Sequence, residues 1–230
     1  SAFLLFRPGD HIVVPADVYG GTYRSLTTLF AQWGLTHTFV DMTDHDALVG
    51  AIKKETRALF VETPSNPLLK ITDLRFVAAL GKERGLTTIV DNTFMTPFLQ
   101  RPLQFGCDIV VHSATKFLGG HSDVIAGLAV TGSSELGERL KQIQISFGAI
   151  AGPQDSWLLL RGIKTLGARM EIQQRTAENL AAWLSKEKDV LGVWYPGLES
   201  HPGLQIHMGQ SDGPGAVLSF EVPGGSFVTR

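Results

Sequence analysis

The sequence predicts an α/β fold around a mostly parallel sheet, followed by part of a smaller α+β unit. Two observations carry this. Along the first half of the chain, short apolar runs alternate with helically spaced stretches, an order that builds a parallel sheet buried on both faces. Beyond Gly152 the texture changes to long helical patterns and then two separate strand-like runs.

The elements follow in order. His11-Ile12-Val13-Val14, bounded by Gly9-Asp10 and Pro15, predicts a strand. From Thr22 to Trp33, Leu26, Leu29, Phe30 and Trp33 recur at helical spacing, and Gly34 closes the helix. His37 to Val40 is the next strand, and Asp44 caps a short helix running to Lys54. Ala58 to Val61 is a strand that stops at Glu62-Thr63-Pro64. Thr72 or Asp73 starts a helix that carries Leu74, Val77, Ala78 and Leu80 and ends at Gly85. Thr87 to Val90 ends at Asp91, Ile109 to Val111 ends at His112-Ser113, and Ala126 to Thr131 completes the strands of this region.

Gly152-Pro153-Gln154-Asp155 opens a helix, and a long one spans about Lys164 to Lys186. On the latter, Leu166, Met170, Ala177, Leu180, Ala181 and Leu184 share one side. Val190 to Tyr195 and Ala216 to Val222 read as strands. These features place a large domain over residues 1–165 and a smaller one over 166–230.

Both ends look incomplete. Ser1 to Phe6 reads as the tail of a buried helix, and Ser226 to Arg230 as the start of one after a Pro-Gly-Gly turn, so further sequence is expected on both sides.

Composition narrows the function. The net charge of −2 gives no reason to expect nucleic acid or an anionic membrane as partner. No apolar run is long enough for a membrane-spanning helix, and no signal peptide is visible. Cys107 is the single cysteine, so a reducing, cytoplasmic setting fits. It precedes an apolar strand and reads as a small buried hydrophobe rather than a nucleophile. The histidines, including His201 and His207, lack metal-site spacing, so no metal is expected. His112 reads as a buried strand residue, while His121 and Asp123 read as shaping the loop after Lys116.

The chemistry lies in one ordered pair of motifs. Asp91-Asn92-Thr93 ends a strand, and Lys116 closes His112-Ser113-Ala114-Thr115-Lys116, 25 positions after Asp91. Alone, Lys116 is an ordinary surface charge and Asp91-Asn92-Thr93 an ordinary turn. Together they are what pyridoxal phosphate needs. The amine of Lys116 condenses with an aldehyde, the Ser113 and Thr115 hydroxyls and nearby N–H groups hold a phosphate, and Asp91 keeps a pyridine nitrogen protonated. Ligands in such sheets bind beyond the carboxyl ends of the strands, so Tyr19, Asn66, Asp91 and the Ser113–Lys116 segment are expected on one rim.

Several segments in this order resemble the Cys/Met-metabolism pyridoxal phosphate enzymes, the family of the cystathionine synthases and lyases. They are Pro8-Gly9-Asp10, Tyr19-Gly20-Gly21-Thr22, Glu62 to Pro67, Asp91 to Phe94, Ser113 to Lys116, Gly120 to Asp123 and Leu160 to Leu166. The resemblance implies the aspartate-aminotransferase-like fold type I and a homotetramer built from dimers. It implies that Lys116 carries the cofactor and moves protons, that Asp91 partners the ring nitrogen, and that Ser113 and Thr115 hold the phosphate. It also implies that Tyr19 stacks on the ring and acts as acid or base, and that Asn66 lies near the cofactor hydroxyl or the substrate carboxylate. Tyr19 before Gly20-Gly21 and Asn66 before Pro67 also have plain readings as turn residues.

The implied reaction is β- or γ-elimination on cystathionine-type sulfur amino acids. Cystathionine γ-synthase and homoserine sulfhydrylase, which replace at Cγ, are the alternatives. Methionine γ-lyases have Cys where this chain has Gly21, which ranks them lower. Gly152 to Trp157 resembles the bacterial lyase and synthase branch. The family's substrate-carboxylate arginine is expected beyond Arg230, and its phosphate ligands from a neighbouring subunit before Ser1. A non-catalytic remnant or subunit is the reading from a different class.

Overall fold

The computed structural model describes residues 2–224; the helix expected to begin at Ser226 lies outside the described residues. Six strands form one sheet in the order β2-β1-β3-β4-β5-β6. They are β1 (His11–Pro15), β2 (Thr36–Val40), β3 (Thr56–Glu62), β4 (Thr87–Asp91), β5 (Ile109–Ser113) and β6 (Gly127–Thr131). β1 to β5 are parallel, and β6 runs antiparallel to β5.

Successive strand residues point to opposite faces. Ile12, Val14, Ala58, Phe60, Ile89 and Ile109 therefore share one core with Leu26 and Phe30. Val13, Leu59, Val61 and Val90 share the other with Leu48, Leu74, Val77 and Leu80. Two helices cover the second face: α2 (His45–Gly50) and α3 (Leu74–Arg84). The Asp44 carboxylate accepts from Ala47 N (3.0 Å), and Asp73 accepts from Arg75 N and Phe76 N (2.9 and 3.1 Å), so each helix start has its expected cap. Gly85 ends α3 with φ of 65°. α2 stops at Gly50, short of the expected Lys54, because the Thr56 hydroxyl takes Lys53 N (2.7 Å) and turns the chain into β3.

The first face is covered by α1 (Gly20–Arg24), which continues into a π-helical turn at Ser25–Phe30. Ser25, Thr27 and Thr28 each donate to the carbonyl four residues back, at 2.6–2.9 Å, a pattern that bends helices. Only Leu26 and Phe30 face the core. Leu29 and Trp33, expected beside them, are 63% and 50% exposed, because the sheet covers just one flank of this helix. α4 (Thr96–Leu99) follows β4.

A helix that the periodicity reading omitted, α5 (Ser134–Phe147), packs Leu140 into the first core. The Ser133 hydroxyl accepts from Leu136 N (3.3 Å) and Gly148 ends it at φ 68°, so both cap signals were present. Next come α6 (Pro153–Ile163) and α7 (Leu166–Leu184). On α7, Leu166, Met170, Ala177, Ala181 and Leu184 are buried as expected, while Leu180 is 42% exposed on the edge of that stripe. β7 (Gly192–Trp194) pairs antiparallel with β8 (Ser219–Glu221), and Tyr195 seals this ribbon against Ala177 and Ala181. α8 (Leu204–Gln210), also unanticipated, lies between the two strands. Among the described residues, no helix is long and apolar enough to cross a membrane.

Where α6 meets the loop after β5, backbone touches backbone. A Cβ on Gly162 would lie 2.1 Å from the Gly119 carbonyl oxygen and 3.0 Å from that of Leu118. Neither atom can give way as a flexible side chain does. Gly162→Ala is therefore expected to destabilise the protein by ~1–3 kcal/mol, the usual range for overpacking. Gly50→Ala, whose added methyl meets nothing within 4 Å, is expected to be far milder. Urea unfolding of the two variants beside the wild type checks the contrast.

Candidate active site

The carboxyl ends of β3, β4 and β5 form the floor of a cavity of about 1030 Å³, within the size range of small-molecule sites. Tyr19, Asn66, Asp91, Ser113, Thr115 and Lys116 all line it. The six residues singled out in the sequence therefore meet, although they span 97 positions of the chain. Glu62, Asp155 and Arg169 line it as well, and the sequence reading gave none of them a role.

Asp91 is the last residue of β4 and faces Glu62 of β3 in register. Its Oδ1 accepts from Thr93 N (3.0 Å) and the Thr93 hydroxyl (2.5 Å). The same hydroxyl oxygen accepts from Ser113 N (2.8 Å), which ties the end of β4 to the end of β5. Burial pushes the Asp91 carboxyl above its ordinary range, and the two Thr93 hydrogen bonds pull against this.

Glu62 is only 6% exposed. Burial and the neighbouring charge of Asp91 push its carboxyl up to about 8. The backbone N–H of Tyr19 donates to Oε2 (3.1 Å), and it and the nearby backbone of Asn66 moderate that rise. Glu62 ends a strand, where ligands of such sheets bind, and it opens the Glu62–Pro67 segment, although the sequence by itself gives its side chain no role.

Lys116 stands on a tight coil after β5. Lys116 N donates to the Ser113 carbonyl (3.1 Å), Gly119 N to that of Ala114 (2.8 Å) and Gly120 N to that of Lys116 (2.7 Å). Thr115 pins this coil to β6: its hydroxyl donates to the Ala126 carbonyl (3.3 Å) and accepts from Ala126 N (3.1 Å). Thr115 lines the cavity while its hydroxyl is hydrogen-bonded to Ala126.

Arg169 of α7 braces the coil from the other side. It donates to the carbonyls of Phe117 (2.8 Å) and Gly162 (2.9 Å) and to the Thr165 hydroxyl (3.0 Å). Its guanidinium lies where a Cβ on Gly120 would be, 2.3 Å from Cζ, and Gly120 has φ of 76°. A side chain at position 120 would meet both obstacles. Helical spacing marks Arg169 only as a surface cation, since its partner Phe117 on the coil lies 52 positions away.

The Tyr19 ring is half exposed at the rim, and its carbonyl accepts from Thr22 N (2.9 Å) to open α1. A Cβ on Gly21 would lie 2.3 Å from that ring, so the glycine leaves the ring its place. Cys107 is buried as expected, its thiol pushed up to about 12 by burial. His112 is buried too, held down to about 4, and its Nδ1 has no hydrogen-bond partner. His121 shapes the loop after Lys116, with Nδ1 2.8 Å from the Gly119 carbonyl oxygen.

The model of one family, described as Cys/Met metabolism PLP-dependent enzyme, matches residues 1–229. The chain belongs to this family. It is 54% identical to a cystathionine beta-lyase of Bacillus subtilis (strain 168) over 222 residues, covering 96% of this chain and 57% of that protein. It is 50% identical to the cystathionine gamma-lyase of the same organism, covering 96% of this chain and 59% of the relative. Its structure matches the cystathionine gamma-lyase from Lactobacillus plantarum complexed with L-serine. The TM-score is 0.96 and the identity 46%, over 97% of this chain and 59% of the other. A cystathionine gamma synthase from Xanthomonas oryzae pv. oryzae in complex with cystathionine matches with a TM-score of 0.92 at 43% identity, over 96% of this chain and 57% of the other. The chain thus spans rather more than half the length of these relatives.

The fold is that of the pyridoxal-phosphate-dependent family, and the cofactor is pyridoxal phosphate. The residues present fit it. Asp91 is a buried carboxyl on the cavity wall, and among the described residues no basic side chain pairs with it. A protonated ring nitrogen would supply a cation for it.

The buried carboxyls give the cofactor-free protein a pH signature. Glu62 is raised from 4.5 to about 8 on folding, so between those values the folded state binds more protons than the unfolded one. Stability from this source is full below the unfolded value and is lost as the pH rises toward about 8. Asp91 acts in the same direction. His112 and His207, both held down to about 4, act oppositely but only below about 6.5. Stability is therefore expected to fall between pH 6.5 and 8.5, and Glu62→Gln to flatten that fall. Urea midpoints measured across this range check it.

Proposed function

We propose that this chain provides the cofactor-binding part of a trans-sulfuration enzyme that cleaves cystathionine-type sulfur amino acids by β- or γ-elimination. The observation that carries the reading is the convergence of Lys116, Asp91, Ser113, Thr115, Tyr19 and Asn66 on one cavity. The lyase relatives, at 50–54% identity, favour elimination. Relatives named cystathionine gamma-synthase, at 44–45%, favour γ-replacement as the second reading. The small-molecule substrate lies in the same cavity, and assembly into a homotetramer and a cytoplasmic setting belong to the same proposal.

Bound pyridoxal phosphate supplies an aldehyde for an amine and a protonated ring that withdraws electrons from the substrate Cα. The protein's residues do the rest. Lys116 would hold the aldehyde through its amine. Once displaced by a substrate amine, the free Lys116 amine would accept the Cα proton and, after giving that proton up, could accept one from Cβ for γ chemistry. Asp91 would hold the proton on the ring nitrogen, and its burial would make that ion pair strong. Tyr19 would cover the ring from the rim, with its hydroxyl at hand to protonate a leaving sulfur. Asn66 would orient the substrate carboxylate or the ring hydroxyl, and the Ser113–Lys116 coil would receive the phosphate through backbone N–H groups and the Ser113 and Thr115 hydroxyls.

Borohydride reduction of the full-length protein followed by peptide mapping tests the assignment: the cofactor label is expected on Lys116. Label on Lys164 or Lys70 would remove Lys116 from the centre of the mechanism. Asp91→Asn should retain cofactor but lose roughly 10²–10³ in turnover, because an amide cannot hold the ring proton. Steady-state release of cysteine or homocysteine at saturating cofactor measures it, and wild-type turnover in this variant would contradict the role.

A further inference from the structure

We infer that Glu62 is a positioning residue of this site, its buried carboxyl fastening the Tyr19 loop to the end of β3 above the cofactor cavity. The inference rests on the functional reading above and deepens it. Glu62 ends β3, directly beside Asp91, and lines the cavity. Tyr19 N donates to its Oε2 at 3.1 Å, across 43 positions of the chain.

A second brace joins the Tyr19 loop to the segment after β3. Asp17 Oδ2 accepts from the Ser65 hydroxyl (2.5 Å) and from Leu68 N (3.1 Å). The two braces differ in what they hold. The Asp17 contacts do not touch Tyr19, whereas Glu62 holds the backbone of Tyr19 itself. Movement of the Glu62 carboxyl is movement of the Tyr19 main chain.

The charge on the group matters less than its oxygens. A carboxyl in the neutral form still offers a carbonyl-type oxygen to an N–H donor. Beside an ionised Asp91, a neutral Glu62 can hold the Tyr19 loop without adding a second negative charge next to the ring nitrogen. Burial and the Asp91 charge favour that form. A side-chain amide of the same length should then serve almost as well, and a hydrocarbon should not.

The experiment compares wild type, Glu62→Gln, Glu62→Asp and Glu62→Leu in the full-length protein. Hydrogen exchange at the Tyr19 amide is read in the cofactor-free state, beside turnover of the loaded enzyme. This amide is expected to be protected in the wild type and in Glu62→Gln. It should exchange about tenfold or more faster in Glu62→Asp, whose shorter side chain falls short of Tyr19 N, and in Glu62→Leu. Turnover is expected to fall about 10²-fold in Glu62→Leu, as for a misplacement of an ångström, with rescue in Glu62→Gln. Should Glu62→Leu not fold, the Gln and Asp variants decide. Wild-type protection of this amide in Glu62→Asp, or equal loss in Glu62→Gln and Glu62→Asp, overturns the inference. A protected Tyr19 amide without borohydride label on Lys116 would reject the cofactor reading and leave the fastening intact. Label on Lys116 with amide exchange indifferent to Glu62 would do the reverse.

Discussion

Parallel pairing of β3, β4 and β5 is the constraint on which the site depends. Register places Glu62 opposite Asp91, and Asp91 opposite Val111, so three strands end nearly level. In a parallel sheet the connections return over the faces, and the level carboxyl ends are left free to build a cavity. The register is held by packing on both faces. Leu59, Val61 and Val90 point one way and Phe60 and Ile89 the other, each fully or almost fully buried. A slip of one residue would turn Asp91 toward a hydrocarbon core.

Burying two adjacent carboxyls is costly, and the local backbone is arranged to limit that cost. Thr93 serves Asp91 twice, with its N–H and its hydroxyl, and relays the contact to Ser113 N. Tyr19 N serves Glu62. Below them Asn92 acts as a wholly buried strut: its side chain donates to the carbonyls of Thr96 and Gln100 and accepts from Gln100, which in turn donates to the Thr63 carbonyl. The turns after β3 and β4 are therefore one hydrogen-bonded unit, and Asp91 and Glu62 are fixed to the same frame.

Lys116 is placed by a different device. Its coil is squeezed between β6, α6 and α7, and the fit depends on what is missing as much as on what is present. Gly162 and Gly120 leave room for a carbonyl and a guanidinium respectively. Arg169 then satisfies carbonyls of both the coil and α6, which a lysine's single ammonium could not do in the same planar geometry. α7 thereby joins the β7–β8 ribbon, through Ala177, Ala181 and Tyr195, to the loop carrying the lysine.

Much of this was legible in the sequence. Strand ends at Asp91 and Ser113, the caps at Asp44 and Asp73, and the stop at Gly85 rest on local chemistry, in which a residue's neighbours in sequence are its partners in space. Ordered motifs also sufficed to bring Tyr19, Asn66, Asp91, Ser113, Thr115 and Lys116 together, because strand order in an α/β sheet dictates a common rim. What the sequence could not supply were the contacts made between distant segments. The exposure of Leu29, Trp33 and Leu180 depends on which flank of a helix another element covers, and periodicity alone cannot register that. The engagement of the Thr115 hydroxyl by Ala126 depends on the antiparallel return of β6. Glu62 and Arg169 look like a strand terminus and a helix-surface cation until the Tyr19 loop and the Lys116 coil are folded against them. Local hydrogen bonding and hydrophobic period determined the elements and the chemistry; tertiary packing alone decided which oxygens and nitrogens hold that chemistry in place.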